Sequence, residues 1–464
     1  MGVLIRADTD RIRRTAFSLF FILLLAADSG MAGQDAASGE DTATGQYVPE
    51  TVHYIKHGVP RIRTGAASDE KTQVLAGPVH PPGSDLLVYK PADGYVFGPY
   101  DIIFKPSYTL ILQGTPNPNL PPGSGKFGVS WNLYLDFEKK LGDWGLIFCQ
   151  LMSGWGQTVA PDLDLFSNVN YSYYDIGGRV KLRRYYYEQY LCEKRVTLRV
   201  GMMKAPDWFD QNNCEDDSDV EFLADIFNTS PAVEWPSNWA TTFAEEIEAF
   251  VPGADYLELR AAHFEGDGSY QQFFRHGLYI AQATIRTDKL LKLDSDKYEG
   301  HYRAYGWLNN RDHAKYAAAG QTAILEDYLN YGFGASIDQK INRYTYIFGR
   351  CGWQRPDVVR ANGGALVEWS WSAGMQINGC VWKRPDDRFA FAVGQDFVSK
   401  PFIDAGNPGA NEGHIEVYYA WKLNPCLTVS PDIQLIWNPN GVGAFSKGDA
   451  ECIFVYGARL HYVL

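Results

Sequence analysis

The chain has 464 residues, 45% hydrophobic and 14% aromatic content, 45 glycines and a formal net charge of −13. That acidity argues against nucleic acid as a partner. A mean hydropathy of −0.27 and a single apolar run exclude a bundle of membrane helices, but not a membrane barrel, whose apolar signal hides in alternation.

The chain starts with "MGVLIRADTDRIRR", followed by the apolar run "TAFSLFFILLLAA" and then "DSGMAG". A basic start, a short apolar core and a small-x-small site describe a secretory signal peptide over residues 1–32, cleaved after Ala32. The run is too short for the roughly 20 residues of a spanning helix. Its four arginines and three aspartates carry +1, so the mature chain stands near −14. Residues 33–100 are polar and broken by Pro and Gly, and read as a periplasmic extension or linker. Seven cysteines, an odd number without a Cys-x-x-Cys pair, do not form a dense disulfide framework.

From residue 101 to 464 short segments alternate with period two between turn residues. In "FGVSWNLYLDFE", Val129, Trp131, Leu133, Leu135 and Phe137 oppose Ser130, Asn132, Tyr134, Asp136 and Glu138. "WSWSAGMQING" and "IEVYYAWKLN" repeat the pattern, and the closing "CIFVYGARLHYVL" sets Phe454, Tyr456, Leu460 and Tyr462 against Arg459 and His461. The fold class expected is all-β. A soluble sandwich and a transmembrane antiparallel β-barrel both satisfy the alternation. Aromatics at strand ends (Trp369, Trp421, Tyr462) and a chain ending inside a strand favour the barrel.

Several stretches resemble the carbohydrate-selective porins of the OprB family: "VTLRVGMMKAPDWFD", "FNTSPAVEWPSNW", "LELRAAHFEGDGS", "YGFGASIDQKI", "IFGRCGWQRPDV", "GCVWKRPDDRFAFAVGQDFVSK" and "LNPCLTVSPDIQLIWNPNG". The last two are the most specific in order and spacing. The likeness runs from about residue 101 to the C-terminus, where Leu464 stands in place of the usual terminal aromatic. The resemblance implies a barrel of about sixteen strands in the outer membrane, contacting lipid and passing small carbohydrates by diffusion. Monomer and homotrimer both stay open.

A porin acts through pore width and lining. Sugars ask for charged groups that bond hydroxyls and for aromatic planes. In "VKLRRYYYEQYL", Arg184, Tyr186 and Glu188 share one face and Lys181, Arg183, Tyr185 and Tyr187 the other. Both arginines therefore face inward only if the strand bulges, and parity leaves open which one does otherwise. Arg199 falls on the polar face of its strand, and Arg303, Tyr305 and Trp307 share a face with Asn309. Glu258, Arg260, Asp338, Arg350 and Arg459 complete the charged candidates. The segment from Ala205 to about Asp255 is too long for a hairpin turn and reads as a constriction loop, with Trp235 and Trp239 as stacking candidates. A surface loop with buried anchoring tryptophans fits it equally well.

No catalytic, metal or cofactor motif emerges. Leu120 and Phe127 break the phosphate-loop spacing near Gly125-Lys126, no His-Glu-x-x-His occurs, and the run "DQNNCEDDSDVE" lacks the EF-hand pattern. The rival readings are a secreted soluble β-rich glycan-binding protein or glycosidase, and a structural outer-membrane protein with a closed lumen.

Overall fold

The structure is a computed structural model that describes residues 87–90, 94–97, 101–116, 126–236, 241–266, 276–317, 325–326, 328–360, 367–442 and 452–463. The expected signal peptide, most of the extension, Trp239 and Leu464 lie outside the described residues.

Sixteen antiparallel strands form the barrel. In chain order they are β1 Ile102–Gly114, β2 Phe127–Lys140, β3 Gly145–Gly156, β4 Lys181–Leu191, β5 Val196–Lys204, β6 Thr241–Phe250, β7 Leu257–Glu265 and β8 Gly277–Arg286. Then come β9 Gly300–Asn309, β10 Asn330–Asn342, β11 Thr345–Gln354, β12 Val367–Asn378, β13 Arg388–Val398, β14 Gly413–Lys422, β15 Leu427–Trp437 and β16 Cys452–Val463. Each strand pairs with its neighbours, and β16 pairs with β1 from Tyr456↔Gly114 to Val463↔Ser107. That closure removes the exposed edges of an open sheet.

Period-two alternation decides which side chains face inward. On β2, Ser130, Asn132, Tyr134 and Asp136 are buried inside, whereas Val129 points out. On β12, Ser370, Ser372 and Gln376 are inside, and Trp369, Trp371 and Met375 are exposed outside. The closing strand behaves as its sequence predicts: Phe454, Tyr456 and Tyr462 are exposed, and Arg459 and His461 are buried. All seven cysteines are free thiols.

The two ends of the barrel differ. Seven connections, including residues 141–144, 192–195 and 343–344, join strands at the end where the chain enters and leaves. Eight connections, most of them longer, lie at the opposite end, and residues 157–180 and 205–240 are the longest with most of their course described.

Two findings depart from the sequence reading. The extension contains two short strands, Leu87–Lys90 and Gly94–Phe97, which pair with each other. The second pairs with Ile102–Phe104, the part of β1 that extends past the end of β16. The other departure is β6, which occupies residues read as the end of the long loop. Its inward face is Thr242, Ala244, Glu246 and Glu248, and Glu245 points outward beside His263 at 3.1 Å. Adjacent glutamates on opposite faces erase the contrast on which a period-two reading depends.

Candidate functional site

The loop after β5 does not stay at the rim. Its described part, residues 205–236, folds into the barrel and crosses to the far wall, carrying its own apolar residues. Trp208, Phe209 and Val233 pack with inward-facing Phe264, Leu278, Ile280, Tyr305 and Trp307. Cys214, Phe222, Ile226 and Phe227 pack with Phe348, Ala390, Ala392 and Tyr418. Burying a large apolar side chain stabilises by about 1.5–3 kcal/mol, so Phe209, Phe222 and Phe227, all fully buried, are substantial anchors. Loop docking also explains why β7, β8 and β13 carry apolar residues inside, where a water-filled lumen would call for polar ones.

Charge completes the attachment. Arg184 of β4 pairs with Asp207. Arg350 of β11 bonds the Asp210 carboxylate at 3.0 Å, donates to the Asp210 and Glu215 carbonyls, and lies 3.6 Å from the Glu215 carboxylate. The Ser372 hydroxyl donates to Glu215 at 2.9 Å. Asn213 donates to Asp338 at 2.9 Å. Farther round the barrel, Glu416 accepts the Leu223 and Ala224 amides, and Arg459 donates to the Ser218 carbonyl at 2.7 Å. One loop is thus tied to β4, β10, β11, β12, β14 and β16.

A second infolded loop, residues 157–180, was not anticipated from sequence. Val159, Ala160, Leu163 and Val169 pack on Ile436, Ile453 and Val455. Glu412 accepts the Phe166 and Ser167 amides at 3.0 and 2.9 Å, and the Ser167 hydroxyl donates to Asp396 at 2.7 Å. The two loops touch: Ser172 lies 2.6 Å from Ser218 and donates to Asp219 at 3.0 Å, and the Tyr171 amide donates to the Leu223 carbonyl.

The structure places the predicted residues as follows. Arg183 and Arg184 both face inward because the β3–β4 register slips between Gln150 and Leu151, which leaves Arg183 as the extra residue of a bulge. Arg183 donates to the Tyr174 hydroxyl at 2.9 Å, with its guanidinium 4.6 Å from the Tyr174 ring and 5.2 Å from the Tyr134 ring. Glu188, Arg199, Glu258 and Arg260 meet in one network. Arg199 binds Glu188, Glu246 and Glu248 at 2.7, 2.6 and 2.8 Å. Arg260 binds Glu258 at 2.5 Å and Glu248 at 3.3 Å. Trp208 lies against both guanidiniums, 4.2 Å from Arg199 and 6.0 Å from Arg260.

Arg303 pairs with Asp338, and His301 lies 2.9 Å from the same carboxylate. Tyr305 and Trp307 are buried on the inner wall opposite Gly334 and Gly332. A Cβ at Gly334 would meet the Tyr305 ring at 2.4 Å, so the glycine makes room for the aromatic. Trp235 is half-buried, and its indole N–H donates to the Ser230 carbonyl at 3.3 Å. Its surroundings match the anchoring alternative.

Asp207, Asp210, Glu215, Glu246, Glu248 and Trp208, which were not among the individual sequence candidates, sit in the loop and on β6. The run "EEIE" on β6 held the signal for Glu246 and Glu248 through their parity with Arg199. Burial shifts the loop acids. Glu215 is pushed up to about 8 by desolvation, with Arg350 opposing. Asp225 is pushed up to about 7 by desolvation, opposed by its bonds with Asn168.

With this geometry established, comparisons identify the family. The model described as "Carbohydrate-selective porin, OprB family" matches residues 153–462. No curated protein matches the chain at a significant level. Among solved structures, the chain is similar to Pseudomonas putida OprB at high pH, at 16% identity and a TM-score of 0.64, covering 78% of this chain and 94% of that one. It is also similar to Vibrio cholerae OmpT in its trimer form, at 13% identity, with 78% and 99% covered and a TM-score of 0.48. For DcaP of Acinetobacter baumannii the corresponding values are 11%, 78%, 97% and 0.47. The chain belongs to the OprB family of carbohydrate-selective porins.

Proposed function

We propose that this chain is an outer-membrane porin that lets carbohydrates diffuse passively through a water-filled passage narrowed by the two infolded loops. Export is by the N-terminal signal peptide, and the loop end faces outward, since long loops of such barrels are extracellular. Arg199, Arg260, Arg303 and Arg350 with their carboxylates stiffen the narrow zone and offer donors and acceptors to sugar hydroxyls. Tyr134, Tyr174, Tyr305, Trp307 and Trp208 supply aromatic surface beside them.

One observation carries this reading: the barrel is inverted relative to a soluble protein. Trp155, Trp369, Phe333 and Tyr456 are exposed outside, while ion pairs of Arg199, Arg303 and Arg350 are buried inside. A contiguous apolar exterior of this kind suits lipid and would aggregate in water. The same inversion disfavours a soluble glycan-binding protein or glycosidase. Monomer and homotrimer are both compatible with that exterior.

Liposome swelling tests the sugar reading. Sugars of graded size are compared with amino acids of similar mass in vesicles holding the purified protein. Sugars should enter faster than amino acids of equal mass. Rates that follow mass alone would leave a general diffusion pore.

A further inference from the structure

We propose that the lumen of this barrel rejects anionic solutes, so that its permeants are neutral sugars and amino sugars rather than uronates, aldonates or sugar phosphates. This deepens the porin reading and rests on it.

Among the described residues, buried aspartates and glutamates outnumber buried arginines and lysines by more than two to one. Protonating half of the excess would leave the sign unchanged. A narrow passage walled by low-dielectric protein focuses such a field onto whatever enters.

An acidic lumen could still carry anions if its arginines were open. They are occupied. Arg199 touches three carboxylates and Arg260 two, and four glutamates (188, 246, 248 and 258) share those two guanidiniums. That cluster therefore holds two more carboxylates than guanidiniums, and one oxygen of Glu246 has no hydrogen-bond partner in its buried position. Arg350 is held by Asp210 and Glu215, and Arg303 by Asp338.

Arg183 and Arg459 differ, because their hydrogen bonds go to the Tyr174 hydroxyl and the Ser218 carbonyl, and Nε and Nη1 of Arg183 have no hydrogen-bond partner. Two tyrosine rings flank that guanidinium, so its faces are covered. Sugar hydroxyls can donate to the carboxylates, and the ammonium of an amino sugar pairs with them. A carboxylate or phosphate meets a wall in which carboxylates outnumber guanidiniums.

The test uses the purified full-length chain. Reversal potentials in a KCl gradient across a planar bilayer give the K⁺ to Cl⁻ permeability ratio. Liposome swelling compares glucose, glucosamine and gluconate, which are close in size. We expect a several-fold preference for K⁺, gluconate entry several-fold slower than glucose, and glucosamine at least as fast as glucose. Glu258→Gln, at a carboxylate whose side chain reaches solvent (11% exposed), should lower the K⁺ preference. If that variant does not fold, Glu138→Gln tests the same point beside Lys105. A chloride preference, or gluconate entering as fast as glucose, overturns the proposal while leaving a sugar pore intact. Absence of both channel steps and sugar entry would instead overturn the porin reading on which it rests.

Discussion

Arg199 holds carboxylates from three strand positions at once: Glu188 on β4, and Glu246 and Glu248 on β6. The Trp208 ring covers one face of its guanidinium, and the Arg199 and Glu188 side chains are almost fully buried, so little water reaches the pairing. Removing a buried cation leaves its carboxylates uncompensated, at a cost of about 3–5 kcal/mol. Arg199→Met should lower barrel stability by about that amount, read as a drop in the urea midpoint in detergent micelles. An unchanged midpoint would mean that the glutamates are compensated elsewhere. Space decides a second residue. Gly334→Ala puts a methyl group into the Tyr305 ring, and overpacking of that kind costs about 1–3 kcal/mol. The same unfolding assay should show the loss, and it should be smaller in a Tyr305→Phe background, which lacks the hydroxyl nearest the new methyl group.

At the scale of elements, the infolded loop of residues 205–236 is the part proposed to narrow the passage. Deleting residues 211–220 removes Glu215 and the Ser218 carbonyl, two of its ties to the wall. Single-channel conductance should rise, and an unchanged value would count against a constriction role. The loop should also respond to pH. Burial pushes the Glu215 carboxyl up to about 8 from an ordinary 4.5, so the docked state holds the proton more tightly than the undocked one. Its contribution is full below about 4.5 and is lost as pH rises through about 8. Asp225 acts in the same direction, with loss complete by about 7. Conductance should therefore rise between mildly acidic and mildly alkaline solution, and Glu215→Gln should flatten part of the rise. A conductance that falls with pH contradicts this account. The loop's length was legible in sequence, but its destination was not. Its ties run from β4 to β16, and contacts between residues so far apart leave no local pattern. The β3–β4 bulge shows how near the sequence came. Parity said Arg183 and Arg184 could share the lumen only through a bulge, and the register slip at Gln150 supplies it. Residues 157–180 gave less warning, because they dock through backbone amides onto Glu412, and an amide carries no residue-specific signal.

For the whole molecule, alternation made the barrel readable wherever one face is uniformly apolar, as on β2, β12 and β16. It failed on β6, where Glu245 points outward, and was blurred on β7 and β8, whose inner faces bind the loop through Phe264, Leu278 and Ile280. The inward placement of the arginines was legible because a charge facing lipid is costly, although parity left Arg183 and Arg184 open. Their partners were harder to name, since a strand sequence does not say which carboxylate lies across the sheet. The proposed function requires a narrow, hydrated, sugar-accessible path beside two docked loops. The most direct measurement is single-channel current in a planar bilayer, recorded before and after a neutral sugar is added to the bath. Discrete channel steps whose current falls as sugar occupies the passage are the predicted result. A barrel that gives no steps, or steps indifferent to sugar, would contradict the account.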